Sequence, residues 1–458
     1  MRKTAAISRY DLVNPRRRRG VTISIMGCNR TGLTTACLLA DVGFNVVCID
    51  PDQSIIDRIR KGRLPFADRD LESLLRENIE GGRLSATTEI GDAVLKSNII
   101  LLFTSLAIDE RGRSDYSNIE KVCRELGLNL RPGALIIVNS NLVPGMTETL
   151  IKEILETASG LRAGTEFGLA YCPIRTVPSG GIRDVISNPK VFGAIDNRSS
   201  ELTRAFLSTI TKGEIVELRD AKTAEAVRLF ESIYHEANIA LANELARFCE
   251  EAGIDFMEVL DVANLKPHCD LSTPGAVGEQ ISDDSYLFIE EAESLKVRPR
   301  MIMLARKIND NVMRRVFYLV KDAVRACGRP ARRAKVAVLG VSSQPNVKEL
   351  RGSFVKGLVE FLRGKGLIVK AYDPIFSYRE LIEFGFPAEK TLTKAVKGMD
   401  CLLIAVGHDR FKRLNLHRIK LLMKKPAAIV DISHIVDPSE VEKRGFVYRG
   451  LGRGVWTK

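Results

Sequence analysis

No Cys-x-x-Cys pair occurs among the nine cysteines scattered between Cys28 and Cys401, and their spacing has no regularity. An odd number without pattern excludes a disulfide framework or a zinc site and reads as reduced thiol. A window long and apolar enough for a membrane span is also missing, as is the apolar stretch of a secretory signal in the basic segment Met1 to Gly20. A cytoplasmic protein is therefore expected. Compositional bias is absent as well: 45% hydrophobic and 28% charged residues exclude disorder or a collagen-like repeat as the main state. What remains is a globular chain of 458 residues, too long for one core and suited to two or three domains.

The net charge is +12, which raises a polyanion partner as a question. Half of that excess lies within residues 1–20, where Arg2, Lys3, Arg9 and Arg16 to Arg19 face only Asp11. The expectation is a flexible basic tail over 1–20 attached to a mildly basic body, with nucleic acid not expected as a partner because no later motif reads it and a polyanion contact of the tail kept as the other reading.

The first ordered signal is the β-rich run Val21–Met26, ending at Gly27-Cys28-Asn29-Arg30-Thr31-Gly32. A helical pattern over Leu33–Val42 follows, then a second apolar strand at Asn45–Ile49 that ends on Asp50. Strand, glycine turn, helix, strand and acid form the unit that binds the adenosine half of a dinucleotide, with the pyrophosphate on the helix N-terminus. An acid at position 50 suits both ribose hydroxyls, so NAD is expected over NADP. Further parallel-type strands are read at Asn98–Phe103, Ala134–Val138, Glu166–Tyr171 and Lys190–Ile195.

Beyond residue 205 the pattern turns helical. Ala221–Gly253 and Pro299–Gly328 each lack an internal helix breaker, and they flank an irregular stretch, Asn264–Tyr286. A second strand, helix, strand, acid unit then runs from Lys335 to Asp373, with later strands at Cys401–Val406 and Ala428–Ile432. It repeats the first unit without its glycine-rich turn, so it reads as a second nucleotide-type half and not as a second NAD site. The expected architecture is α/β: two Rossmann-like, doubly wound domains (21–205 and 329–458) joined by a central helical, dimerising domain (206–328).

Several motifs occur in a fixed order: the glycine turn, Pro144-Gly145-Met146-Thr147, Tyr171-Cys172-Pro173, Asn238 to Glu244, Leu350-Arg351-Gly352-Ser353, and the closing Tyr448-Arg449-Gly450-Leu451-Gly452-Arg453. With them the chain, over about residues 20–453, resembles the UDP-glucose/GDP-mannose dehydrogenase family, nearest its UDP-N-acetylmannosamine and UDP-N-acetylglucosamine branch. The resemblance implies NAD-dependent oxidation of a UDP-sugar C6 alcohol to the carboxylate and a homodimer, with association with an active relative as a further option. It also implies roles: Gly27, Asn29, Arg30, Thr31, Gly32, Asp50 and Ser140 at the cofactor, Asn238 and Arg351 at the substrate, and Arg228, Ser232 and Asp284 at catalytic positions. No metal is implied.

The same resemblance exposes departures. The family's thiol, which captures the aldehyde so that a second hydride can leave, has no counterpart in Gly278-Glu279-Gln280-Ile281-Ser282-Asp283-Asp284. Arg228 replaces a lysine and cannot relay protons, Ser232 replaces an asparagine, Ile174 replaces a glutamate, and Asn29 replaces the glycine nearest the phosphates, which its side chain would crowd. Cys269 reads as packing and not as a relocated thiol, and His408-Asp409 reads as a turn or nucleotide contact. The expectation is a family member whose chemistry is largely lost; the other reading is a divergent active dehydrogenase that stops after one hydride transfer.

Overall fold

The computed structural model describes residues 7–66, 68–104, 106–108, 113–175, 180–350 and 352–456. The chain divides into two compact units, Met1–Glu231 with Tyr286–Leu295, and Ser232–Ser285 with Lys296–Lys458.

The first unit is built on an eight-stranded sheet. Its strands are β1 (Thr22–Met26), β2 (Asn45–Ile49), β3 (Leu84–Thr87) and β4 (Ile99–Leu102), and, after a two-residue pair β5 (Ala107–Ile108) and β6 (Ser114–Asp115), β7 (Leu135–Val138), β8 (Gly168–Tyr171), β9 (Lys190–Ala194) and β10 (Ile215–Glu217). Their spatial order is β10-β9-β8-β7-β4-β1-β2-β3. Continuous apolar runs such as Ile-Ile-Leu-Leu in β4, buried throughout, are what a sheet covered on both faces requires. The order reverses between β1 and β4, which opens a crevice beyond their carboxyl ends.

One strand corrects the sequence reading: β9 lies antiparallel to β8, not parallel. Antiparallel neighbours need no crossover connection back across the sheet, whereas a parallel pair does.

The basic segment is a second correction, because residues 7–20 are docked on the first unit. Helix α1 (Arg9–Val13) is closed by a capping box between Ser8 and Asp11, and Ile7 and Leu12 join the core of the sheet domain. Arg18 donates to the carbonyls of Leu12 (2.8 Å) and Val42 (3.1 Å) and lies 5.5 Å from the Phe44 ring centre. That arginine works as a tether more than as free charge.

The second unit holds an all-parallel sheet of β11 (Lys335–Leu339), β12 (Ile368–Tyr372), β13 (Cys401–Ile404), β14 (Ala428–Asp431) and β15 (Val447–Gly450), in the order β12-β11-β13-β14-β15. The long helix Ala221–Ala252 begins in the first unit and ends in the second. The pattern over 299–328 breaks at Asn311 into helices Arg300–Asp310 and Val312–Ala326. Part of the stretch read as irregular is helical too, since Glu279–Ser294 contains neither glycine nor proline and starts directly after Gly278.

The two sheets repeat one local geometry. In the first, Gly27 N–H donates to Ile49 O and Cys28 N–H to Asp50 Oδ2, each at 2.9 Å. In the second, Gly340 N–H donates to Tyr372 O (2.9 Å) and Val341 N–H to Asp373 Oδ2 (2.8 Å).

Candidate functional site

Gly27 and Gly32 are required by their surroundings. Gly27 has φ +102°, and a Cβ on it would lie 2.8 Å from Phe103 O; one on Gly32 would lie 2.3 Å from Gly27 O. The turn therefore brings β1 and helix α2 (Arg30–Asp41) into closest approach. Asn29 does not need a positive φ: its backbone is extended at φ −70°, ψ 176°, and it is the N-cap of α2. Its Oδ1 accepts from Gly32 N–H at 2.9 Å, and its Nδ2 donates to Phe103 O at 3.2 Å. The side chain folds back over the turn and takes one of the donors at the helix end where an anion would sit.

Around this turn, Thr31 lies in the first turn of α2 and lines a cleft with Thr35, Asn139 and Lys190. The Arg30 guanidinium sits 4.2 Å over the Phe66 ring and 3.6 Å from the Asp68 carboxylate. Asp50, at the end of β2, accepts from Cys28 N–H and Asp52 N–H. Ser140, buried past the end of β7, is 3.1 Å from the Thr104 hydroxyl. All seven positions expected at the cofactor thus lie on the turn, at the end of β2 or at the end of β7. With two glycine-only contacts, an acid after β2 and a helix N-terminus at the switch point, these residues fit a dinucleotide.

The catalytic positions are brought together in part. Ser232 donates to Asp284 Oδ2 at 2.6 Å, and both side chains are buried. Arg228 stands one turn earlier on the long helix, half-buried. Ile174 packs against the core of the sheet domain, while Arg175 beside it grips Glu231 through two hydrogen bonds of 2.6 and 3.1 Å. Ser282 lies on the first turns of helix Glu279–Ser294, and its Oγ accepts from Arg306 Nη1 at 2.6 Å. Arg306 is buried and ion-paired with Glu236, whose carboxyl is pushed up by burial. Neither Arg306 nor Glu236 stands out in the sequence, because their pairing depends on how two helices seventy residues apart pack.

Asn238 is fully engaged, but with the chain itself. Its Nδ2 donates to Asp270 O and its Oδ1 accepts from Ser272 N–H. Asn243 does the same to Gly275, at 2.9 Å in both directions. Both asparagines therefore clamp the loop 270–275 onto the long helix. Arg351 lies outside the described residues. Cys269, in the loop before the clamp, is half-buried, and the other eight cysteines are buried; burial pushes the Cys172 thiol up to about 11. A buried thiol of that kind is a poor nucleophile. Among the described residues no cluster of His, Cys, Asp or Glu could hold a metal ion, and no helix is long and apolar enough to cross a membrane.

In the second sheet His408 is fully buried, with Nδ1 accepting from Asn346 N–H (2.9 Å) and Nε2 3.0 Å from Asp373 Oδ2. The Asn346 bond leaves the proton on Nε2, so the ring donates to Asp373. Burial works to raise the Asp373 carboxyl, yet His408 and the backbone donors outweigh it and hold the group below its ordinary value. The acid that corresponds to Asp50 is thus closed off, which removes the ribose contact a second NAD site would need.

Residues 21–211 match the NAD binding domain of the UDP-glucose/GDP-mannose dehydrogenase family, residues 222–311 its central domain and residues 337–438 its UDP binding domain. A UDP-N-acetyl-D-mannosamine dehydrogenase of Pyrococcus horikoshii is 30% identical over 437 residues, covering 94% of this chain and 99% of that protein. One from Methanocaldococcus jannaschii is 30% identical over 445 residues, covering 95% and 97%. The solved structure of a UDP-D-ManNAc dehydrogenase from Pyrococcus horikoshii superposes with a TM-score of 0.88 at 29% identity, covering 95% of this chain and all of that one. The chain belongs to the UDP-glucose/GDP-mannose dehydrogenase family, with an N-terminal NAD-binding Rossmann domain, a central helical domain and a C-terminal UDP-binding domain.

Proposed function

We propose that this protein binds NAD and a UDP-linked N-acetylhexosamine but does not carry the sugar's C6 alcohol through to the carboxylate. Full oxidation removes two hydrides, and the second can leave only after a nucleophile has added to the aldehyde carbon. The observation that carries the reading is the environment of Ser282. Its hydroxyl faces the Arg306 guanidinium, a donor that stays protonated and cannot take a proton from it. Ile174 offers no base for hydrolysis of an acyl intermediate. Asp284 survives, hydrogen-bonded to Ser232. The sugar class comes from the curated relatives named above.

A homodimer is part of the same reading. Tyr234, Leu241, Leu245 and Phe248 are exposed on the long helix, and at 100° per residue they fall on a strip about 60° wide.

The test is NADH absorbance with purified protein, NAD, and UDP-N-acetylmannosamine, UDP-N-acetylglucosamine or UDP-glucose in turn, beside calorimetric binding of each ligand. Binding without two NADH per sugar is expected. Two NADH per sugar would overturn the loss of function, and one per sugar would mark an oxidation that stops after a single hydride.

A further inference from the structure

The long helix and the helix that follows β7 exchange carboxylates. Glu148 Oε1, in the first turn of the segment Thr147–Ser159, accepts from Ala221 N–H (3.0 Å), the first residue of the long helix. Glu225, one turn into the long helix, answers in the other direction: it accepts from Gly145 N–H, from Thr147 N–H (2.9 Å) and from the Thr147 hydroxyl (2.6 Å). Each helix thus satisfies the orphan donors at the other's N-terminus. Gly145 has φ +103°, and the Lys222 side chain passes within van der Waals distance of where its Cβ would be. The turn held in this way, Pro144 to Thr147, continues directly from Asn139 and Ser140 at the end of β7, beside the dinucleotide crevice.

We infer that Glu225 is a positioning residue that clasps the Pro144–Thr147 turn to the long helix and so fixes the Asn139–Ser140 wall of the NAD crevice. The inference rests on the NAD-binding reading of that crevice. Glu225 is fully buried. Burial pushes its carboxyl up to about 7 against the pull of its three donors, and Glu148 pushes in the same direction as burial; the Lys222 side chain passes close to Gly145 at the same junction. Ionised, the carboxylate accepts three charge-assisted hydrogen bonds. Protonated, it has one acceptor oxygen fewer to offer the two backbone N–H groups. Burial nonetheless outweighs those bonds, so the closed clasp favours the protonated carboxyl and its grip loosens as pH rises through neutrality.

The test compares wild type, E225Q and T147V by amide hydrogen exchange without ligand and by calorimetric NAD binding from pH 6 to 8. In E225Q the Gly145 and Thr147 amides should exchange at least tenfold faster while β4 and β7 stay protected, and the Kd for NAD should rise several-fold. Wild-type affinity for NAD should decrease from pH 6 to 8, and that of E225Q should stay flat. T147V keeps the carboxylate and loses one donor, so it should show a smaller change of the same sign even if E225Q fails to fold. Unchanged exchange at both amides, or faster exchange with NAD affinity and its pH profile unaltered, would overturn the inference. A wild type that binds no NAD at any pH would instead defeat the cofactor reading, and the exchange comparison would then judge the clasp alone.

Discussion

Asn29 shows how one side chain can serve the fold and compete with the ligand. Its oxygen caps Gly32 N–H, a bond whose loss to alanine typically costs ~1 kcal/mol of stability, whereas glycine at the same position costs only a few tenths. The same oxygen occupies a helix-end donor that an anion would otherwise use. N29G should therefore bind NAD more tightly with little change in melting temperature, and N29A should lose stability. Calorimetry and thermal denaturation on the two variants separate the effects; weaker NAD binding by N29G would show that the cap helps the site and does not obstruct it. Glu225 makes a second prediction at this scale. Its folded carboxyl titrates at about 7 against an ordinary value of 4.5, so the folded state holds a proton that the unfolded state has released. Stability from this group is complete below about 4.5 and is lost as pH rises through 7. E225Q has no such loss. Relative to wild type its stability should climb by about 1.4 kcal/mol per pH unit across that window and then level off. Parallel curves in urea titrations of the two proteins would contradict this.

The closing Gly450-Leu451-Gly452-Arg453-Gly454 segment acquires a physical meaning as an element. Phe256 N–H donates to Gly452 O (2.8 Å), Gly452 N–H to Glu250 Oε1 (2.8 Å), Gly454 N–H to Ile254 O (2.9 Å), and Arg453 Nη1 to Asp255 Oδ2 (2.6 Å). Four bonds tie the chain after β15 to the junction between the long helix and helix Phe256–Ala263. A Cβ on Gly454 would lie 2.0 Å from Cys249 O and 2.6 Å from Ile254 O. Those are backbone atoms that cannot rotate away. G454A should force a backbone shift costing about 1–3 kcal/mol and lower the melting temperature by several degrees. A G454A protein that melts with the wild type would mean that the strap contributes nothing to stability. Packing against the long helix thus gives Gly452, Arg453 and Gly454 of the motif a structural reason.

At the scale of the molecule, what the sequence made legible was the buried sheet. Ile-Ile-Leu-Leu at 99–102 and Cys-Leu-Leu-Ile at 401–404 are unbroken apolar runs, and both strands are found within two residues of where they are read. Ile-Val-Glu in β10 and Val-Tyr-Arg-Gly in β15 carry polar residues at the sheet edges and give no such signal. The Asn29 cap is legible in hindsight, because an asparagine directly before a helical pattern is an N-cap signal. The Ser232–Asp284 bond spans 52 residues, and only a family pattern could place both positions at one site. Arg306 against Ser282 follows from helix packing that no local pattern encodes. Exposed apolar side chains carry the remaining inference. Leu241 is 48% exposed and Phe248 is 64% exposed, one heptad apart on the same strip of the long helix. Water contact on such a strip is unfavourable by roughly 25 cal/mol per Å² of apolar surface, and pairing with a second copy of the same helix would remove it on both molecules at once. Light scattering should give about twice the chain mass of 50.8 kDa for the wild type. A double variant, L241E with F248E, places two charges on the strip and should run as a folded monomer with unchanged circular dichroism. A monomeric wild type would reject the dimer, and a double variant that remains dimeric would place the interface elsewhere on the surface.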